Sequence, residues 1–452
     1  RDLHLSIRRQ RQMCIRDRSG WASKEVDGSR DNLHPLLDLI IEHVKPADFD
    51  KTKPFAMLST LLYADSFLGR SLVGRISQGT AKANQRIKAI NLKGEKVDEG
   101  RLTKIFRYEG TKKVPIEVGE AGDIVVIAGL ENANVADTIC DIEVEKPIPA
   151  TPIDPPTMSI TITVNTSPLA GKEGKYLTSR QIRERLFTEA SHNVALLVEE
   201  TEDPDCFKVS GRGELHLSIL IETMRREGFE FAVSRPQVIT RQIGEQIEEP
   251  FELLNIDIEE VHQGKVMESL GDRKGELRDL IPDGLGRIRM TYRISTRGLI
   301  GYRNEFMSQT SGTGIMSFSS DGFGPRLGDV GGGRINGVLV SNANGKAVAF
   351  ALFNLQNRGR LLVSPNDPVY EGMIVGLHSR DNDLTVNPMK EKKLTNVRAA
   401  GSDEAIILNG ILEQSLEDAL LFIQDDELVE ITPESIRLRK SMLKEHERKR
   451  AK

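Results

Sequence analysis

FKVSGRGELHLSILIETMRREGFEFAVS, residues 207–234, reads as strand, helix, strand. Residues 207–210 form a short β-prone run. Gly211 and Gly213 punctuate the chain before a helical stretch at 214–227, which Gly228 stops, and 229–234 return as a strand. Upstream, 158–165 alternates as a strand, 179–190 is helical with Ile182, Leu186 and Ala190 on one face, and 193–199 is a further strand. The resulting order, β-α-β-β-α-β, is the split-βαβ, ferredoxin-like plan.

The plan recurs downstream in outline, without sequence identity. Residues 251–259 read as a strand and 264–271 as the opening of a helix. Strands lie in and before 286–295, and a helix around 301–310 and a strand around 315–318 complete the unit. From 54 to about 144 the pattern differs. Short β-like runs at 55–63, 72–76, 86–90 and 124–128 are separated by turns such as Lys93-Gly94-Glu95, which predicts a small β-barrel. Pro147, Pro149, Pro152, Pro155 and Pro156 then make an extended linker. The last block holds strands at 337–341 and 347–355 and a lysine-rich loop at 387–398. A capping box from Ser415 to Asp418 opens a helix with Leu416, Ala419, Leu420 and Ile423 on one face, and a strand at 428–432 leads to a basic tail.

Ahead of the barrel, Leu33, Leu36, Leu37, Ile40, Ile41 and Val44 fall at helical spacing over 31–44. This helix expects a partner for its apolar face and reads as the last helix of a missing domain. Residues 1–18 have neither the apolar run nor the cleavage site of a secretory signal and read as foreign to the fold. The expected organisation is a multidomain α+β chain. It comprises an extension at 1–19, a remnant helix region at 20–50, a β-barrel at 51–146, two ferredoxin-like βαββαβ domains at 157–245 and 246–325, and a β-rich C-terminal domain at 326–452.

The 452 residues are 38% hydrophobic and 29% charged, a globular balance, and no run approaches the ~18 apolar residues a membrane helix needs. Cys14, Cys140 and Cys206 are scattered, which argues against a disulfide framework and for the reducing cytoplasm. The net charge of −5 hides its layout: residues 437–452 carry +6, residues 1–18 carry +4, and the body between carries −15. Nucleic acid can therefore be met only through local patches; by charge alone the tail reads as a solvated, frayed terminus.

Catalytic signatures are missing from these residues. The Gly-Lys pairs at 171–172, 174–175, 264–265 and 345–346 lack the Ser or Thr that completes a phosphate loop. Asp321–Gly324 is a permissive Asp-x-x-Gly, and no Asn-Lys-x-Asp is present to read guanine. The eight histidines show no metal-binding pair, and no Gly-x-Ser-x-Gly elbow occurs. The expectation is that the chain as it stands is not an enzyme and holds no cofactor or metal.

Several segments together resemble translational GTPases. Gly69-Arg70-Ser71-Leu72-Val73-Gly74-Arg75-Ile76, with Gly79 and Lys82, is similar to the barrel domain of elongation factors. Gly211-Arg212-Gly213-Glu214-Leu215-His216-Leu217 and Ser234-Arg235-Pro236-Gln237-Val238 resemble the third domain of elongation factor G, and Glu249-Pro250-Phe251 the start of its fifth. The subfamily is carried by residues 297–303 (RGLIGYR), 354–359 (NLQNRG), 369–376 (VYEGMIVG) and 392–398 (KKLTNVR), which resemble the TypA/BipA family of ribosome-associated translational GTPases.

The resemblance implies a cytoplasmic monomer tied to large-subunit assembly and to growth under stress or cold. Its partners would be the ribosome, mainly large-subunit rRNA and A-site tRNA, with no membrane. A ribosome-stimulated GTPase using GTP and Mg is implied for the intact protein, of whose nucleotide domain 20–50 would be the remnant and Ala22-Ser23 a trace of its last motif. The alternative is a GTP-independent RNA-binding assembly scaffold.

RNA contact is expected first on the loop, where Lys390, Lys392, Lys393 and Arg398 can neutralise phosphates and Asn396 can bond a base or ribose edge. Further candidates are Arg437, Arg439 and Lys440, the pair Arg273-Lys274, and Arg358 and Arg360 flanking Gly359, where the backbone can approach a phosphate. Replacing Lys392 and Lys393 together by Ala is expected to flatten the salt dependence of ribosome binding by about two in log–log slope, measured by sedimentation across a salt series.

Overall fold

The computed structural model describes residues 14–16, 20–24, 28–44, 49–65, 69–328, 330, 334–391, 407–408 and 410–451. The chain divides into two compact units, Arg1–Pro152 and Ile153–Lys452, and the division falls inside the proline-rich stretch.

In the first unit eight strands join in one antiparallel sheet. Their order is Lys96–Arg101, Arg86–Ile90, Thr138–Asp141, Ala56–Asp65, Gly69–Gln78, Ile124–Ala128, Lys104–Glu109 and Lys112–Ile116. Phe55, Met57, Leu72, Ile76, Ile87, Val125 and Ile139 close over one another as its core. Two glycines there have different causes. Gly79 turns the chain at φ +72°, whereas Gly74 lies in a strand where a Cβ would meet the Leu58 carbonyl oxygen at 2.0 Å. The helix ahead of the sheet spans His34–His43 and has no buried residue; Leu37, Ile40 and Ile41 are all exposed. Cys14–Arg16, inside the segment read as foreign, pairs with Trp21–Ser23.

The second unit contains three main sheets. The first has Leu197–Glu200, Cys206–Gly211, Met158–Val164 and Phe231–Ser234 side by side, all antiparallel. Helices Ser179–His192 and Glu214–Glu227 cover it with Ile182, Leu186, Leu217, Ile221 and Met224. Thr178 and Gln181 form a capping box on the first helix, and Gly228 ends the second in the left-handed region at φ 96°. The second sheet repeats the arrangement with Ile315–Pro325, Gln246–Glu259, Arg287–Ser295 and Glu276–Pro282. The third places Gly359–Leu361, Ile374–His378, Val338–Ser341 and Leu384–Val386 in order, the last two strands being parallel.

The C-terminal residues do not stand apart as a block. Glu427–Ile431 pairs with Phe231–Ser234, and Ile436–Lys440 follows it, so both strands extend the first sheet. Val429, Ile431 and Leu438 enter its core together with Leu416, Ala419, Leu420 and Ile423 of the helix Leu416–Phe422 and its cap. The basic tail is therefore not frayed: its start is a buried strand, and Glu445–Ala451 is helical.

Ion pairs flank this core on both faces of the hairpin. Glu430 and Arg437 lie on the side away from Val429 and Leu438, and Glu427 and Lys440 lie at the end of the side that carries Val429 and Leu438. Glu430 is fully buried and accepts hydrogen bonds from Arg437 Nη1 at 3.0 Å, Asn165 Nδ2 at 3.1 Å, Ser167 Oγ at 3.0 Å and the Tyr370 hydroxyl. Arg437 also reaches Glu173. Glu427, equally buried, pairs with Arg334 at 2.8 Å and with Lys440 at 2.9 Å, and Lys440 bonds Asp383 and Asp426 as well. Burial alone would lower the Arg437 and Lys440 pKa values, but the surrounding carboxylates outweigh it and hold both above their ordinary values. Burial, with Glu430 beside it, pushes the Tyr370 hydroxyl well up.

Lys440→Met leaves a buried carboxylate short of a partner and is expected to cost about 3–5 kcal/mol at neutral pH. The folded-state pKa of Lys440 lies above 10.5, so its contribution is complete below that pH and is lost as pH rises through the folded value. Urea unfolding of both proteins across that range should show the gap closing on the alkaline side.

Candidate nucleic-acid interface

The twelve residues expected to touch RNA separate by burial. Lys392, Lys393, Asn396 and Arg398 lie outside the described residues. Lys390 is exposed, just after the turn that follows Leu384–Val386. Arg358 and Arg360 are exposed, and neither has an ion pair among the described residues. Lys274 is exposed in a turn with φ +60°.

The other four are corrected. Arg437 and Lys440 are spent on the buried carboxylates described above. Arg439 is 2% exposed; its guanidinium reaches Thr166 Oγ1 and the Lys440 carbonyl, and burial lowers its pKa. Arg273 donates to the carbonyls of Gly298 and Ile300, pairs with Glu305 at 2.8 Å and lies over the Tyr302 ring. A guanidinium so enclosed cannot reach a phosphate without abandoning neighbours that would then be buried unpaired.

Gly359 also has another role than the one expected. Its backbone is extended, and a Cβ there would meet the Leu377 carbonyl oxygen at 1.9 Å. The missing side chain is used by the neighbouring strand, not by a phosphate.

The geometry links the loop to the two free arginines. The chain leaves the sheet at the edge strand Leu384–Val386 and returns at the opposite edge. There the Leu412 amide donates to the Leu361 carbonyl and Gln356 Nε2 donates to the Ile407 carbonyl. Arg358 and Arg360 flank Gly359 at that returning edge. Lys390 and this pair thus mark opposite ends of one sheet, with the lysine-bearing segment joining them.

Phosphate has no ready cradle at the Gly-Lys pairs. The Gly171 and Gly174 amides point at an anion, but the anion is the protein's own: they donate to the buried Glu230 carboxylate at 3.1 and 3.0 Å. Gly345-Lys346 pairs as a strand with Pro368–Val369. At 171–175 and 345–346 the backbone groups are thus engaged within the fold.

A cleft of about 620 Å3 between the first two sheets is unsuited to RNA for a different reason. Its carboxylates, Glu214, Glu252, Glu417 and Asp418, outnumber its guanidinium groups, Arg212 and Arg303. Burial raises Glu214 and Glu252, with Glu417 adding to the effect on Glu214.

Sequence reading missed Glu173, Glu230, Glu427, Glu430 and Tyr370, which lie up to 265 residues from their partners. One signal was present. Glu427 and Glu430 stand opposite Lys440 and Arg437 in the hairpin register, a pattern of complementary charges across two adjacent strands.

Comparison with known proteins gives these parts a family. The TypA/BipA C-terminal domain family matches residues 336–445, the elongation factor G C-terminus residues 246–330, and elongation factor Tu domain 2 residues 69–140. The Haemophilus influenzae protein named large ribosomal subunit assembly factor BipA is 52% identical over 433 residues, covering 96% of this chain and 70% of that protein. The chain belongs to the TypA/BipA family.

Proteins of the same name from Escherichia coli K12, at 51% identity, and Buchnera aphidicola, at 52%, also align with 96% of the chain and 71% of their own length. A solved structure from Thermus thermophilus overlaps 65% of this chain and 59% of its own at 15% identity and a TM-score of 0.41, too distant to bear on the fold. The coverage overturns one expectation. Nearly the whole chain aligns with TypA/BipA proteins whose length it spans to only about 70%, so motifs missing from these 452 residues do not make the protein a non-enzyme.

Burial separates the cations experimentally. Arg273→Ala is expected to lower unfolding free energy by about 3 kcal/mol while leaving the salt slope of RNA binding unchanged. Arg358→Ala should do the reverse, with a slope smaller by about one and an unchanged urea midpoint.

Proposed function

We propose that this chain is the ribosome-docking part of a large-subunit assembly factor, and that it meets large-subunit rRNA and the A-site tRNA through its C-terminal sheet. The observation that carries this reading is the contrast among cations. Arg437, Arg439, Lys440 and Arg273 are consumed inside the fold, while Arg358, Arg360 and Lys390 remain exposed at the two ends of the segment bearing Lys392, Lys393, Asn396 and Arg398. Exposed cations that no carboxylate of the fold occupies, as Arg358 and Arg360 are among the described residues, are what binding to an RNA backbone requires.

The name shared by the relatives, large ribosomal subunit assembly factor, supports the assembly role. On this reading the first unit is an elongation-factor-type barrel, and the two antiparallel helix-covered sheets are ferredoxin-like modules that hold the C-terminal sheet in place. The protein acts in the cytoplasm as a monomer, in translation adapted to stress or cold. GTP and magnesium belong to the intact protein. Among the described residues no helix is long and apolar enough to cross a membrane.

The test is sedimentation of the purified chain with large subunits at low ionic strength. Co-pelleting that weakens steeply with added salt is expected. Failure to pellet at any salt concentration would overturn the proposal.

A further inference from the structure

Where the lysine-bearing segment rejoins the sheet there is a cleft of about 550 Å3, within the ~300–1,000 Å3 typical of sites for small ligands. Leu361 and Leu377 give it an apolar lining, and no carboxylate lines it among the described residues. Its polar groups retain bonding capacity. His378 Nδ1 lies 2.6 Å from the Asn382 carbonyl oxygen, which can only accept, so Nδ1 carries the proton and Nε2 of the neutral ring is left as an acceptor. The Asn357 amide, which both donates and accepts, has no partner among the described residues, and Arg360 has no carboxylate.

We infer that this cleft takes a single unpaired nucleotide of RNA, its base edge read by Asn357 and His378 and its phosphate held by Arg360. The ligand class follows from the lining. An acceptor, an amide and a guanidinium beside apolar surface match a base edge joined to an anion, whereas a cationic ligand would be repelled by Arg360 and find no lining carboxylate among the described residues. Unpaired bases are also the part of RNA that presents free edges and stacks on a ring or a guanidinium plane. Arg358, exposed two residues away, is placed for the neighbouring phosphate. The inference deepens the RNA-docking reading and rests on it for the kind of polymer bound.

The experiment follows the His378 ring by NMR in the full chain during titration with a short single-stranded RNA, each nucleoside 5′-monophosphate, and inorganic phosphate. RNA and at least one monophosphate are expected to shift the ring resonances, and phosphate alone is not. Asn357→Ala with Arg360→Ala, both exposed positions, should weaken the RNA titration by about tenfold and leave the urea midpoint unchanged. Equal shifts with inorganic phosphate would overturn the inference, as would shifts with monophosphates but none with RNA, which would mark a free-nucleotide site.

Sedimentation with large subunits separates the two readings. If wild type pellets and the double variant pellets equally, with no RNA-induced shift in either, docking stands and the nucleotide site falls. If RNA shifts the ring and the double variant weakens it, but wild type does not pellet, the site stands and ribosome docking falls.

Discussion

A carboxylate sealed from water must be answered by donors, because an unpaired buried charge costs several kcal/mol. Glu430 sets that requirement for the second unit. Its partners come from three separate parts of the chain: Arg437 across the hairpin, Asn165 and Ser167 after the first strand, and Tyr370 just after the strand Pro368–Val369. Asn165 donates to Glu230 too, and Glu230 in turn gathers the Gly171 and Gly174 amides. Because the pairs are hydrogen-bonded as well as charged, the network fixes which strand lies beside which, something apolar contact alone specifies loosely.

The hairpin Glu427–Lys440 is buried on both faces for this reason. Val429, Ile431 and Leu438 face the helix-covered core, while Glu430 and Arg437 face the opposite side. Adding this hairpin to Phe231–Ser234 covers what would otherwise be a sheet edge. It also ties the last residues to a strand roughly two hundred positions earlier, so the C-terminal sheet is not free to move as a bead on a string.

Charge is consequently a poor guide to nucleic-acid contact in this protein. Three of the tail's eight cations, Arg437, Arg439 and Lys440, are structural, whereas Arg358 and Arg360 sit exposed at the margin of a sheet with no ion pair among the described residues. What distinguishes Arg360 from Arg437 is the surroundings, since the two side chains are chemically the same.

The sequence by itself determined the local elements. Helical spacing, the Thr178 and Ser415 caps and the Gly228 stop act over a few residues and appear where those residues stand, whereas 347–355, read as a strand, is helical over Ala349–Leu355. The motifs around 297–303 and 369–376 also sufficed for the family, since they are runs of identity that need no geometry. Tertiary structure alone decided which cations face solvent, because burial depends on partners such as Glu173, Glu305 and Glu430 brought from distant positions. It likewise decided that the tail is a strand inside another module's sheet: strand pairing at long range is set by which edge is open and which charges answer, and neither is written in the strand's own residues.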